Sequence, residues 1–228
     1  MPPRAADNII RTGRGKPVDQ SGKLLYSRFG SQIIDVRQSY YAPERKMKLE
    51  ILPLTEENLR DAPEWGSHPF SCKYCLYWEL PEELSDPEKE KKEDMFQKKL
   101  KWLSQTRRRF GDCGRIAYLD GSPSGYAQYA PPNLLPNSAN YHSGPPSEDA
   151  VFIGCLFIPD SKLRRLGLGS QILLSIVNEL RERGVRAVET FARKGNPNNP
   201  SGAMEFYLKN GFRIYKDDKE FPLMRLDL

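Results

Sequence analysis

The sequence lacks any hydrophobic run long enough to cross a lipid bilayer. Its longest apolar stretch, residues 150–159, is interrupted by Gly154 and is shorter than the ~20 residues that a spanning helix needs. The first residues, MPPRAADNIIRTGRGKP, lack the apolar segment of a secretory signal. We therefore expect neither a membrane protein nor an exported one.

Cysteine and histidine are also scarce, with four and two residues among 228. Four cysteines in a chain of this length do not form a disulfide scaffold, and they are typical of a reducing compartment. We predict a cytoplasmic protein. Aromatic residues at 11% and charged residues at 29% indicate a globular chain rather than a disordered or fibrous one.

The net charge of +5 comes from the N-terminal part of the chain. Residues 1–46 hold nine basic and four acidic residues, which leaves 26 of each sign in the remainder. Nucleic-acid binding would therefore depend on this arm and on the cluster Arg107, Arg108 and Arg109, and we do not expect nucleic acid as a partner. We predict that residues 1–45 form a basic, partly flexible extension and that residues 46–228 form one domain.

The hydrophobic pattern after residue 46 predicts a mixed α/β (α+β) domain. Strands are expected at 47–54, 115–119, 125–130, 151–158, 185–191, 212–215 and 222–226, and helices from 55 onward and at 85–110, 168–183 and 201–210. Asp120-Gly121 predicts a hairpin turn. The strand–helix–strand unit over 151–191 predicts parallel neighbours, so we expect a central mixed sheet with helices on both faces.

The segment Arg164-Arg165-Leu166-Gly167-Leu168-Gly169 lies between a buried strand and an amphipathic helix. Its glycines allow close approach of a ligand, and the unpaired N–H groups of the first helical turn attract an anion. This pattern predicts a phosphate or pyrophosphate site, with plain helix-entry glycines as the alternative. It is not a Walker loop, and Ile172 stands where a dinucleotide fingerprint has its third glycine.

Arg164, Gly167 and Gly169 form an R-x-x-G-x-G pattern that resembles the acetyl-CoA signature of the GNAT N-acetyltransferase superfamily. The segment AMEFYLKNGF, residues 203–212, is similar to that family's A-x-x-x-Y-x-x-x-G-F element, and MKLEILPLTEEN is similar to its first strand and helix entry. The resemblance covers residues 46–228. It implies a GNAT-like sheet, acetyl-CoA as cosubstrate, and direct attack by a primary amine in a ternary complex.

The resemblance also implies roles for particular residues. Tyr207 would be the general acid that protonates the departing CoA thiolate, although a core aromatic is the alternative. The backbone of Leu156, Phe157 and Ile158 would pair with the pantetheine arm, and one N–H would polarise the thioester carbonyl. The pyrophosphate would be held by the backbone N–H groups of Arg164, Arg165, Leu166, Gly167, Leu168, Gly169 and Ser170.

The sequence departs from the family pattern in two places. Pro200 stands where many members carry an asparagine, and the strand at 151–158 has no glutamate base. The general base is left open among Glu79, Glu148, Asp149 and Glu189. These departures keep a catalytically silent CoA-binding module as an alternative, beside nucleic-acid binding by the basic arm. The acceptor, a small-molecule or peptide amine, and a homodimer are also left open.

The cysteine-containing segment 68–79 is unusual. His68, Cys72 and Cys75 have a spacing that zinc could use, but a fourth ligand would have to come from elsewhere, such as Cys113. We predict no metal and expect packing or a substrate wall, with redox-active thiols as another alternative. Candidate wall residues are Phe70, Tyr74, Tyr77 and Trp78. On the buried strand, Cys155 is expected to be a small core residue, with a covalent acyl-cysteine as the alternative.

Overall fold

The computed structural model describes residues 47–64, 71–80, 91–195 and 199–228, together with four two-residue strands nearer the N-terminus. The chain divides into two units, residues 1–46 and residues 47–228. In the first unit the strands form two antiparallel pairs, β1 (Ile10–Arg11) with β2 (Pro17–Val18), and β3 (Arg28–Phe29) with β4 (Gln32–Ile33).

The second unit consists of a seven-stranded sheet with α-helices. Its strands lie in the order β10-β11-β9-β8-β7-β6-β5, and among the described strands only β8 and β9 are parallel neighbours. This arrangement confirms the predicted mixed α/β sheet. In chain order the elements are β5 (Leu49–Pro53), α1 (Lys92–Phe110), β6 (Gly114–Leu119), β7 (Ser122–Ala130), β8 (Ala150–Phe157), α2 (Leu168–Glu182), β9 (Ala187–Phe191), α3 (Met204–Lys209), β10 (Arg213–Lys216) and β11 (Leu223–Asp227).

The sheet carries a hydrophobic core on each face. Side chains along a strand point alternately to the two faces, and β8, buried at every position, contributes to both. On one face the sheet packs against α2 through Ile172 and Ile176, and on the other against α1 through Phe96 and Leu103. Helices therefore cover both faces, as the apolar stripes predicted.

Two local predictions had different outcomes. The Asp120-Gly121 turn joins β6 to β7, and both residues have positive φ (49° and 79°), as a two-residue hairpin turn requires. The helix expected from Thr55 is wrong for the described residues, because the chain forms a turn and the short 3-10 helix Leu59–Asp61. Thr55 and Asn58 each accept a hydrogen bond from the other's backbone N–H, which closes the turn.

The described part of α1 begins at Lys92, and the start predicted near Ser85 lies outside the described residues, as do His68, Phe70 and Asn198. None of the helices in the described ranges combines the length and the apolar character that a membrane crossing requires.

Candidate functional site

The parallel strands β8 and β9 separate soon after they begin to pair. Their pairing runs only from Ala150 opposite Ala187 to Phe152 opposite Glu189. Against β7, Cys155 and Ile153 pair with consecutive residues, so Gly154 is the extra residue of a β-bulge. Beyond Phe152, β8 therefore has no pairing with β9, and this divergence leaves an opening between the two strands.

A segment of the chain itself lies beside this opening. The Leu156 N–H donates to the Pro200 carbonyl over 3.0 Å, and the Arg193 N–H donates to the Gly202 carbonyl over 2.8 Å. Of the three residues expected to pair with pantetheine, Leu156 thus already has a partner on β8's open side. Phe157 and Ile158 are buried next to it.

The loop between β8 and α2 contains the predicted anion-binding site. Gly167 is the N-cap of α2 with a φ of +85°, and no side chain caps this helix end. A Cβ atom built on Gly167 would meet nothing within 4 Å. The first N–H groups of α2, from Leu168, Gly169 and Ser170, have no helical partner, so this open helix end fits a pyrophosphate group.

The other motif residues of this loop differ in what they contact. A Cβ atom on Gly169 would lie 3.3 Å from the Phe206 ring, so this glycine allows α2 to pack closely on α3. The Arg164 Nε donates to the Ile158 carbonyl over 2.8 Å and so braces the end of β8. Arg165 is exposed, and its φ of 65° places it in the left-handed region that bulky residues seldom adopt.

Tyr207 is completely buried on the α2 side of the sheet, in edge-to-face contact with Phe206 and Phe212. Its Oη has no hydrogen-bond partner within the described residues. Burial raises the pKa of this phenol above its usual value, against a smaller opposing effect of the nearby Thr190 hydroxyl, so the Tyr207 hydroxyl stays protonated. Gly202 lies against the ring, where a Cβ atom would be 3.0 Å from Cε2. A proton donor without an acceptor is what a general acid requires, but its role stays a prediction.

Of the four candidate bases, Glu189 and Asp149 are held in ion pairs and Glu148 lies at the surface. Glu189 is fully buried and accepts from the Ser147 N–H, the Ser147 hydroxyl and the Arg225 guanidinium. Asp149 forms a two-pronged pair with Arg225, at 3.1 and 3.0 Å, and this bonding lowers the pKa of Asp149. Glu148 is exposed. Glu189 and Asp149 are therefore engaged in ion pairs with Arg225, which tie β9 and β11 to the loop before β8.

Glu79 differs from these because part of its carboxylate is free. Its Oε1 accepts from the Lys99 ammonium and from the Gln128 Nε2, the latter at 2.7 Å. Its Oε2 is buried and has no partner among the described groups. Burial is the largest single effect and acts to lower the pKa of Lys99, but the attraction and hydrogen bond of Glu79, together with Cys75 and Cys155, outweigh it and the pKa is raised.

Sequence analysis did not predict this ion pair. The signal was in the helical spacing: from Phe96 onward the buried residues of α1, Phe96, Lys99, Leu103 and Thr106, follow one another at intervals of three or four. A lysine at a core position of an amphipathic helix predicts a buried acidic partner.

The aromatic residues expected to form a substrate wall are largely part of the core. Trp78 is buried and stacks on Tyr141 and Phe191, with centroid distances of 5.4 and 6.2 Å. Tyr74 packs edge-on against Phe96. Tyr77 is 37% exposed, and its hydroxyl lies 3.1 Å from that of Tyr141. Among the described wall residues, Tyr77 is therefore the most exposed.

The four cysteines are free thiols. Cys72, Trp78 and Cys155 are buried together in the core on the α1 side of the sheet. Within the ranges that the structure describes, no three His, Cys, Asp or Glu side chains are grouped to hold a metal ion.

The basic cluster at the end of α1 does not form a row of free charges. Arg107 pairs with Glu56 at 2.5 Å, and Arg108 bonds to Ser104 on its own helix. The ion pair with Glu56 offsets the charge of Arg107, whereas the contact with the uncharged Ser104 leaves the charge of Arg108 in place.

A family model, "Acetyltransferase (GNAT) family", matches residues 74–212. Since the match spans more than half of the chain, the protein belongs to this acetyltransferase family. Membership supports acyl transfer from acetyl-CoA as the general activity, and the open end of α2 at Gly167 is suited to that cosubstrate.

Solved structures of acetyltransferases are distantly similar. PaiA N-acetyltransferase from Thermoplasma acidophilum, in complex with coenzyme A, is 16% identical with a TM-score of 0.49, over 79% of this chain and 99% of that one. The ribosomal-protein-alanine N-acetyltransferase from Brucella melitensis is 19% identical with a TM-score of 0.47, over 78% of this chain and 99% of that one. YncA of Salmonella typhimurium, a putative acetyltransferase solved with its cofactor acetyl-CoA, is 13% identical with a TM-score of 0.49, over 79% of this chain and 94% of that one. Among curated proteins no significant match is found.

Proposed function

We propose that this protein is an N-acetyltransferase that transfers the acetyl group of acetyl-CoA to a primary amine, either of a small molecule or of a peptide. The observation that carries the proposal is the uncapped N-terminus of α2 at Gly167, beside the opening between β8 and β9, in a member of the GNAT family. The bound cosubstrate supplies an activated acetyl thioester. Direct attack of the amine in a ternary complex is the route that the family resemblance implies.

Each part of the site has a defined task in this proposal. The N–H groups at the start of α2 hold the pyrophosphate, and the end of β8 orients the pantetheine arm. Tyr207 holds the proton that the departing thiolate needs, because burial keeps its phenol protonated. Of the four candidate carboxylates, Glu79 alone combines burial with an unpartnered oxygen in the described part of the site, so it is the best placed to receive a proton from the amine.

We expect Gly167→Glu to weaken acetyl-CoA binding by about 100-fold or more, because the new carboxylate stands where the phosphates bind. Calorimetric titration of the purified protein with acetyl-CoA measures this. Gly184→Glu is the matched control: Gly184 also has a positive φ (72°) and open space at Cβ, but it lies at the other end of α2.

Three outcomes distinguish the anion site at the start of α2 from the proposed function as a whole. Normal binding by the Gly184 variant and loss by the Gly167 variant support the anion site. Equal binding by both variants would show that α2 does not hold the pyrophosphate. A folded wild-type protein that does not bind acetyl-CoA would overturn the proposed function.

The Leu156 amide provides a separate test of the β8 contact. If pantetheine pairs with β8, acetyl-CoA must replace the Pro200 carbonyl as the partner of the Leu156 N–H. We expect the amide NMR signals of Leu156 and Gly202 to shift on addition of acetyl-CoA, along with those of Leu168, Gly169 and Ser170. Shifts confined to the start of α2 would contradict pairing at β8 and favour the catalytically silent CoA-binding module.

A further inference from the structure

Cys155 is a nucleophilic side chain that the direct route does not use, and it lies at the edge of the opening. It follows the bulge at Gly154 and precedes Leu156, whose N–H faces the opening. Its side chain belongs to the core on the α1 side, whereas Tyr207 belongs to the core on the α2 side. A thioester held in the opening would thus have a thiol on one side and a proton donor on the other.

The Cys72 thiol, which lies with Trp78 in the same buried core as Cys155, lowers the pKa of the Cys155 thiol. The Lys99 ammonium and the Trp78 indole act in the same direction, whereas burial and the Glu79 carboxylate act to raise this pKa. Gly154 makes the indole contact possible, since a Cβ atom there would lie 3.0 Å from the Trp78 Nε1.

Two unpartnered polar atoms flank this cysteine. The Tyr207 Oη and the Glu79 Oε2 are buried without hydrogen-bond partners in the described residues. Both lie within electrostatic range of Cys155, and Gln128, which donates to Glu79, is the cross-strand neighbour of Cys155. Because burying a polar atom without a partner is unfavourable, we expect a ligand here that accepts a hydrogen bond from the Tyr207 hydroxyl and donates one to the Glu79 carboxylate.

We propose that Cys155 is a covalent acetyl acceptor in this site, which provides a two-step route beside direct attack. The Cys155 thiolate forms a bond to the acetyl carbonyl carbon, the bond from that carbon to the CoA sulfur breaks, and Tyr207 gives its proton to the leaving sulfur. The amine nitrogen then bonds to the same carbon, and Cys155 leaves as the thiolate. The nitrogen's proton returns to the Tyr207 oxygen, so no oxidant or reductant is consumed. This inference rests on the proposed function.

The test mixes the full-length protein with acetyl-CoA alone, stops the reaction with acid at a series of times, and measures the intact mass. We expect the mass of one acetyl group to be added, to be located at Cys155 by peptide mapping, and to be removed by hydroxylamine at neutral pH, as a thioester is. Cys155→Ala should lose the adduct. Cys113→Ala, which truncates another fully buried cysteine of the same core, should keep it.

Each outcome bears on the inference. Wild-type protein that binds acetyl-CoA by calorimetry but carries no acetyl group on Cys155 at any time overturns the covalent route and leaves direct attack. An adduct that maps to Cys72 or to a lysine also overturns it, and this result needs no variant to fold. Absence of acetyl-CoA binding is the separate outcome that removes the proposed function together with this inference.

Discussion

Replacing Lys99 by methionine is expected to lower the free energy of unfolding by about 3–5 kcal/mol, the cost of leaving a buried charge without its partner. The side chains of Lys99 and Glu79 are 3% and 0% exposed, so water cannot replace the lost ammonium. Methionine has nearly the length of lysine and keeps the packing of α1, so the loss reports the charge rather than a cavity. Urea unfolding followed by circular dichroism measures it.

A double variant and a surface variant make this result interpretable. Lys99→Met combined with Glu79→Gln removes both charges and keeps an amide oxygen for Gln128 to bond, so it should recover most of the lost stability. Lys101→Met changes an exposed lysine of the same helix and should have almost no effect. A single-variant cost near that of Lys101→Met would show that Glu79 is not a buried anion in solution.

Tyr207→Phe is expected to separate activity from stability. Loss of a general acid lowers kcat by about 100-fold or more, while acetyl-CoA affinity should change little. Stability should change little, because the Tyr207 hydroxyl makes no hydrogen bond of ordinary geometry among the described residues. The rate of CoA release with an amine substrate and the urea midpoint together measure both effects.

Tyr129→Phe is the matched control for this experiment. Tyr129 is also fully buried, but its hydroxyl donates to Glu179 on α2. A hydrogen bond to a charged group contributes about 1.5–3 kcal/mol, so this variant should lose stability and keep kcat. Full turnover by Tyr207→Phe would exclude the phenol as the acid and favour its interpretation as a core aromatic.

The elements that sequence analysis predicted correctly depend on residues adjacent in the chain. The apolar run of β8, the amphipathic stripe of α2 and the Asp120-Gly121 turn each have a local cause, and each is found within about two residues of its expected bounds. The start at Thr55 failed because its hydrogen bonds close a turn equally well. At that position the local signal had two solutions, and the packing of β5 against β6 selected one.

The sequence by itself determined the mixed α/β class, the family and the glycine-containing helix entry at Gly167, since these reside in short motifs and local periodicity. Only the tertiary structure decided which side chains meet. The sheet brings Glu79 to Lys99 and Gln128, Cys72 and Trp78 to Cys155, and the Pro200 carbonyl to the Leu156 N–H. These partners lie between 20 and about 80 positions apart in the chain. No local pattern encodes such pairings, because strand register and helix docking set them.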